Sequence, residues 1–208
     1  MHSNCLLRIK FKVDINVANH IIFGGMGFIG THLATYLHSV SQYAAIHLLD
    51  LQFAITQSNG RISQRCDVRE SMDGMHFQST ASDIIFNLAA VHTTPGHPDR
   101  EYFETNMLGA EHVCAFARKN GINTIVFTSS IAPYGAGEDL KSEDTLPTPN
   151  TPYGISKLVA EHIHRTWQAE DPLVRKLIIV RPGVVFGKGE GGNFTRLYAA
   201  MKKGYFFY

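Results

Sequence analysis

The segment "FGGMGFIG", Phe23 to Gly30, packs four glycines between the apolar run "HIIF" and the stretch "FIGTHLATYLHSV". In that stretch Ile29, Leu33, Leu37 and Val40 recur at helical spacing, so the glycines join a short strand to a helix. Glycine costs backbone entropy on folding and offers a core no side chain. A cluster of it beside apolar residues suits a place where backbone must come close to something, another element or a ligand. A loose turn is the competing reading.

Apolar bursts alternate with longer, mixed stretches along the rest of the chain. Strands are expected at His20–Phe23, in "AAIHLLD" ending at Asp50, and in "RISQRCDV", "DIIFNLAA", "NTIVFTSS" and "KLIIVRPGVVFG". Helices are expected at "FIGTHLATYLHSV", at "REYFETNMLGAEHVCAFARKNG" closed by Gly121, at "TPYGISKLVAEHIHRTWQAE" between Pro152 and Pro172, and at "GNFTRLYAAMKKG". The strands lack a polar face, as strands covered on both sides do. The alternation predicts an α/β fold, a doubly wound parallel sheet of Rossmann type. Ligands of such folds sit at the carboxyl ends of the strands, where every motif below lies.

The net charge of +1 on 208 residues, with no basic run, gives no electrostatic case for nucleic acid or an anionic membrane surface. No apolar stretch approaches the roughly 20 residues that span a bilayer. Cys5, Cys66 and Cys114 are far apart and odd in number, which argues against a disulfide framework and a metal site. They fit a reducing, cytoplasmic setting. Residues 1–18 mix charge into each apolar patch and read as an N-terminal extension without a secretory signal.

Gly24, Gly27 and Gly30 form G-x-x-G-x-x-G with a strand before it and a helix starting inside it. The first glycine permits the tight turn, the second lets backbone approach a pyrophosphate, and the third lets helix pack closely on strand. The helix N-terminus offers unpaired N–H groups to the negative charge. Asp50 ends the second strand twenty residues after Gly30, placed to accept from both hydroxyls of an adenosine ribose. It would repel a 2′-phosphate, and no Arg or Lys follows within residues 51–60, so the expected cofactor is NAD.

Tyr153 and Lys157 stand four apart on an expected helix and share a face. An ammonium and a positive nicotinamide ring beside the phenol would favour phenolate, which can take a proton from a substrate alcohol. Thr128, Ser129 and Ser130 end the fifth strand facing the same crevice, where a hydroxyl can bind the reacting oxygen.

Together "GGMGFIG", "NLAA", "TSSIAPYG", "YGISK" and "RPGVVFG" resemble the extended short-chain dehydrogenase/reductases, and more closely the NAD-dependent epimerase/dehydratase family acting on nucleotide sugars. The resemblance runs from about Ile21 to the last residue. It implies that Tyr153 and Lys157 are the catalytic pair and Ser130 the catalytic hydroxyl, with Ser129 its competitor. It implies NAD contacts from Gly24, Gly27, Phe28, Ile29, Gly30, Asp50, Thr128, Tyr153 and Lys157. Asp67 and Val68 match the segment touching adenine, and Leu88, Ala89 and Ala90 the wall beside the pyrophosphate. Pro182 matches the residue near the nicotinamide. Asn106 matches a helix asparagine beside the active site; a structural amide that bends the helix is the competing reading. His92 lies near the crevice and reads as a loop histidine. The family's homodimers are built from the two helices around Asn106 and Tyr153, so Ile155, Leu158, Val159, Ile163 and Trp167 serve either a dimer or the core.

The family's dehydratases follow the catalytic hydroxyl with an Asp-Glu pair. Here Ile131 and Ala132 follow Ser130, and neither moves a proton. Glu138 and Asp139 come later, in what reads as an exposed loop. What the resemblance leaves is oxidation and reduction at one carbinol: a nucleotide-sugar 4-epimerase, with NAD retained. A dehydrogenase or reductase of a steroid-like alcohol is the alternative. The family's chains continue through a seventh strand and a small substrate-binding domain. The expected organisation is therefore a NAD-binding domain over 19–189 and the start of a substrate region over 190–208, largely missing. Asn193 is the expected substrate contact left there beside Ser130, and a NAD-binding fragment without full activity is a third reading.

Overall fold

The computed structural model describes residues 18–40, 44–52, 60–75, 77–93, 96–137 and 139–205, without the side chain of Asn193. Its strands are β1 (His20–Phe23), β2 (Ile46–Asp50), β3 (Arg61–Arg65), β4 (Ile84–Asn87), β5 (Thr124–Thr128) and β6 (Lys176–Val180). They form one sheet in the order β3-β2-β1-β4-β5-β6, with every pairing parallel. The helices are α1 (Phe28–Val40), α2 (Asp99–Phe103), α3 (Gly109–Lys119), α4 (Pro152–Ala169) and α5 (Asn193–Lys202).

This is the doubly wound sheet the sequence predicts, and the burial of β1 shows why its central strands carry no polar face. Ile21 and Phe23 point into a core with Leu49, Ile85, Val113, Phe116, Ile125 and Trp167. Ile22 points the other way, onto Ala34, Leu37, Ile46 and Leu48. Alternate residues thus bury on opposite faces, under helices on each side. Each fully buried large apolar side chain contributes about 1.5–3 kcal/mol. Trp167 is fully buried and Ile163 packs against the core, so these two serve the monomer, while Ile155 stays exposed.

Two elements depart from the sequence reading. The third strand stops at Arg65; Cys66 still donates its N–H to Asp50, and Val68 turns into the core. The long helix after residue 98 is interrupted by a π turn, Glu104–Leu108, between α2 and α3. Such turns add a residue to the helical repeat, and here the turn carries Asn106 to a buried position. The start of α4 follows from "TPYG": the Thr151 hydroxyl accepts from the Gly154 N–H at 3.1 Å, and Pro152 opens the first turn.

Towards the end of the described chain, Val184, Phe186, Tyr198 and Tyr205 are largely exposed, and Phe186 stacks on Phe194 at 4.4 Å. Cys66 and Cys114 are buried thiols, pushed up to about 11 and about 12 by burial first. Cys5 and residues 1–17 of the N-terminal extension lie outside the described residues.

The interior also holds neutral histidines. His20 on β1 is fully buried, and neither ring nitrogen meets a hydrogen-bond partner among the described residues. His164 on α4 stacks on Phe127 at 4.2 Å, with Nδ1 on the Ala160 carbonyl at 2.7 Å. Burial lowers His164 from 6.5 to about 4 and lowers His20 as well. An unfolded chain would protonate these rings where the folded chain holds them neutral. The stability they confer is complete above the ordinary histidine value and is lost as pH falls towards the folded one. Between about pH 7 and about pH 5, urea titrations of His164→Phe should lose about 2 kcal/mol less stability than the wild type. Parallel slopes for the two proteins would refute this assignment.

Candidate active site

The glycine turn sits where the strand order reverses, between β1 and β4, at the carboxyl edge of the sheet. Gly24 has φ of +74°, and a methyl group there would stand 2.8 Å from backbone atoms of Leu88 and Ala89. A methyl on Gly30 would stand 2.5 Å from the Gly24 carbonyl oxygen. Gly27 is exposed, and a methyl there would meet only the Gly24 oxygen, at 3.4 Å. The turn, the close helix contact and the open face are thus divided among the three glycines as their spacing predicts. A cradle with backbone bare on its open side fits a dinucleotide's pyrophosphate.

Asp50 is tied to that turn. Its Oδ2 accepts from the Met26 N–H at 3.0 Å, and its Oδ1 from the Gln52 N–H at 3.1 Å. Leu88, Ala89 and Ala90 line the other side, half-buried, with the Leu88 N–H donating to Phe23. Phe28 and Ile29 open α1, and Ile29 is exposed. Asp67 is held in a fork by Arg69, with the closest contact at 2.6 Å, which keeps its carboxyl below the usual range. Val68 is buried, and its carbonyl lies 2.8 Å from Nδ1 of His112.

The structure brings Ser130, Tyr153 and Lys157 to one end of the sheet. Ser129 and Ser130 follow β5, and their hydroxyls part company. Ser129 is buried and donates to Oε1 of Glu161 at 2.6 Å. Ser130 is half-buried, its hydroxyl accepting from the Ala132 N–H at 3.2 Å and acting to lower the Tyr153 phenol. Lys157 is buried; its ammonium donates to the Thr128 carbonyl at 2.6 Å and lies 4.4 Å over the Phe127 ring. Burial drives Lys157 down to about 7, and Glu161 works in the opposite sense.

One electrostatic expectation changes. Burial raises the Tyr153 phenol, and Ser130 is what lowers it. The Lys157 ammonium is spent on Thr128 and Phe127 instead of on the phenol. Tyr102 of α2 packs against Tyr153, with ring centroids 6.2 Å apart.

Asn106 is engaged by protein at both ends of its amide. Its oxygen accepts from the Val91 N–H at 3.0 Å; its nitrogen donates to the Val91 carbonyl at 3.1 Å and to Ser156 Oγ at 2.9 Å. That geometry matches the structural-amide reading more than a direct cofactor contact. His92 is exposed, and Pro182 lies half-buried beside Ser130, its carbonyl accepting from the Ile131 N–H at 3.2 Å. Asn193 opens α5, but its side chain lies outside the described residues, as does Glu138; Asp139 is exposed.

Sequence reasoning passed over Glu161, Arg181 and Tyr134. Glu161 follows Lys157 by one helical turn, a spacing visible in the sequence, but its partners come from distant segments. Arg181 donates to both Glu161 oxygens, at 2.8 and 2.6 Å, and to the Tyr134 hydroxyl at 2.6 Å.

The sequence model of the NAD dependent epimerase/dehydratase family matches residues 20–204. The chain is 32% identical over 188 residues to the N-acetyl-alpha-D-glucosaminyl-diphospho-ditrans,octacis-undecaprenol 4-epimerase of Escherichia coli O157:H7, covering 90% of this chain and 55% of the relative. It is 28% identical over 191 residues to the UDP-glucose 4-epimerase of Vibrio cholerae, covering 88% and 57%. Among solved structures it is similar to MoeE5 in complex with UDP-glucuronic acid and NAD, with a TM-score of 0.74 at 26% identity, covering 88% of this chain and 61% of that one. The chain spans about half the length of the curated relatives it matches.

The glycine geometry separates packing from binding. Gly30→Ala should destabilise the fold by about 1–3 kcal/mol in urea titrations, since backbone blocks the new methyl. Gly27→Ala should leave stability within about 0.5 kcal/mol of wild type while weakening NAD binding measured by calorimetry. Equal destabilisation by both substitutions would show that Gly27 is a packing glycine.

Proposed function

The chain belongs to the NAD dependent epimerase/dehydratase family, and we propose that it serves a 4-epimerase acting on a sugar carried on a diphosphate, a nucleotide sugar first of all. The observation that carries this reading is the placement of Tyr153 one turn ahead of buried Lys157 on α4, with Lys157 bonded to the Thr128 carbonyl at the end of β5, at the same edge of the sheet as the glycine cradle. The relatives' activities supply the substrate class.

Gly24, Gly27, Phe28, Ile29, Gly30 and Leu88–Ala90 would hold the pyrophosphate and Asp50 the adenosine ribose. Asp67 and Val68 would flank adenine, and Thr128, Lys157 and Pro182 the nicotinamide end. Bound NAD would supply a reversible hydride acceptor. The protein's own part is proton traffic. Tyr153 as phenolate takes the proton of the sugar's ring hydroxyl and returns it after the sugar has turned in the site. Ser130 donates to the same oxygen and stabilises the charge that develops there. Lys157, driven down to about 7 by burial and bonded to the Thr128 carbonyl, would hold the nicotinamide end of the cofactor one turn from Tyr153. Ile131 and Ala132 provide no acid beside Ser130, which favours epimerisation over elimination of water.

The purified chain, heated to denature it, should release NAD. Without added cofactor it should convert UDP-sugars, or a polyprenol-diphospho-sugar, to the 4-epimer detected by chromatography. Tyr153→Phe should lower kcat by about 100-fold or more with NAD still bound. Net NADH formation without an epimer would turn the reading to a dehydrogenase. A chain that neither releases nor takes up NAD would end it.

A further inference from the structure

Ser130 owes its place at Tyr153 to the turn that carries it. Its hydroxyl accepts from the Ala132 N–H at 3.2 Å, inside the same turn, so where the turn goes the hydroxyl goes. Backbone bonds sew the turn to the extension of β6: the Ser129 N–H donates to Val180 at 2.7 Å, and the Ile131 N–H to Pro182 at 3.2 Å. The start of α4 presses on it from the other side, since a methyl on Gly154 would stand 2.7 Å from the Ala132 carbonyl.

A charged clamp closes around this turn, Ser129 to Tyr134. Glu161 is fully buried, and both of its oxygens are occupied. Oε1 accepts from Ser129 Oγ at 2.6 Å and from Arg181 Nε at 2.8 Å; Oε2 accepts from the Arg181 guanidinium at 2.6 Å and lies 3.1 Å from that of Arg165. Arg181 also donates to the Tyr134 hydroxyl at 2.6 Å and lies 4.7 Å over the Tyr134 ring. The clamp therefore holds the first residue of the turn by its hydroxyl and the last by its ring.

Burying a charged pair is a poor way to gain stability, because desolvation offsets most of the attraction. Its value lies in direction: charge-assisted bonds fix geometry that apolar packing leaves loose. We propose that Glu161 and Arg181 are positioning residues, which hold the Ser130 hydroxyl on Tyr153 through Ser129 and Tyr134. The inference rests on Tyr153 being the proton-transferring group of this site.

The consequence reaches the phenol. Tyr153 is approached by Ser130 from the turn and by Tyr102 from α2, while Lys157, one turn along its own helix, is bonded to Thr128. Of these, Ser130 is what draws the phenol down against burial. A slack clamp lets the turn carry Ser130 away, and the phenol rises.

Ser129→Ala tests this with the ion pair left whole, and Tyr134→Phe cuts the clamp at its other end. The first readout needs no turnover: an ultraviolet titration of Tyr153, taken as the difference between each protein and its Tyr153→Phe counterpart. Both variants should move the Tyr153 midpoint up by about half a unit or more, in the direction of Ser130→Ala. In the epimerase assay, Ser129→Ala should lower kcat about tenfold with KM within about twofold. A Tyr153 midpoint unchanged in both variants overturns the proposal. A midpoint that moves in a chain that epimerises nothing supports the clamp and removes the epimerase reading instead.

Discussion

The methylene of Gly30 lies against the carbonyl oxygens of Gly24 and Gly25, backbone on backbone. This contact sets how deeply the start of α1 seats on the end of β1, and the crevice is built from that depth. With α1 seated, the Met26 N–H reaches the Asp50 carboxylate, which joins the turn to the end of β2. Gly24 is brought against Leu88 and Ala89, which joins it to the end of β4. Three strand ends are thereby locked around one turn, and its open side is left to Gly27. Any side chain at Gly30 would lift the helix and loosen all of these junctions together.

The other half of the site depends on α4. Tyr153, Lys157, Glu161 and His164 follow one another along its inward side, and the last three are buried. A helix that turns a lysine, a glutamate and a histidine inward needs a partner for each. Lys157 finds the Thr128 carbonyl and the Phe127 ring; Glu161 finds Ser129 and Arg181; His164 finds Ala160, Asn87 and the same Phe127 ring from which Lys157 draws. All but one of these partners lie on or beside β4, β5 and β6. The polar face of α4 is therefore readable only against the sheet, and it couples the site to the strand ends as firmly as the glycine turn does.

What the sequence made legible was what local spacing controls. Strands without a polar face, helical periodicity, the proline and threonine that start α4, and the glycine spacing each follow from residues a few positions apart. What it hid depended on contacts across the fold. The π turn exists around Asn106, whose amide meets Val91 fifteen residues earlier and Ser156 fifty residues later. The spacing of Tyr153 and Lys157 suggested an ammonium acting on a phenol, yet the ammonium bonds to Thr128 at the end of β5. No local pattern contains that carbonyl. Likewise nothing in "TSSIAPYG" says which serine faces the crevice.

The pair Ser129 and Ser130 resolves that ambiguity through strand geometry. The ladder of β5 continues one residue beyond Thr128, since the Ser129 N–H still donates to Val180 of β6. Beyond it the backbone turns, Ile131 being already helical and the Ser130 hydroxyl bonded inside the turn, so the two adjacent hydroxyls are presented differently. One is turned inward, where a buried hydroxyl must find an acceptor, and Glu161 is there to accept. The other is turned outward, towards Tyr153. The inward serine is then no spare for the outward one. It is the anchor that gives the outward one a fixed direction, and the doubled residue is read correctly only as a division of labour along α4, Ser129 at Glu161 and Ser130 towards Tyr153.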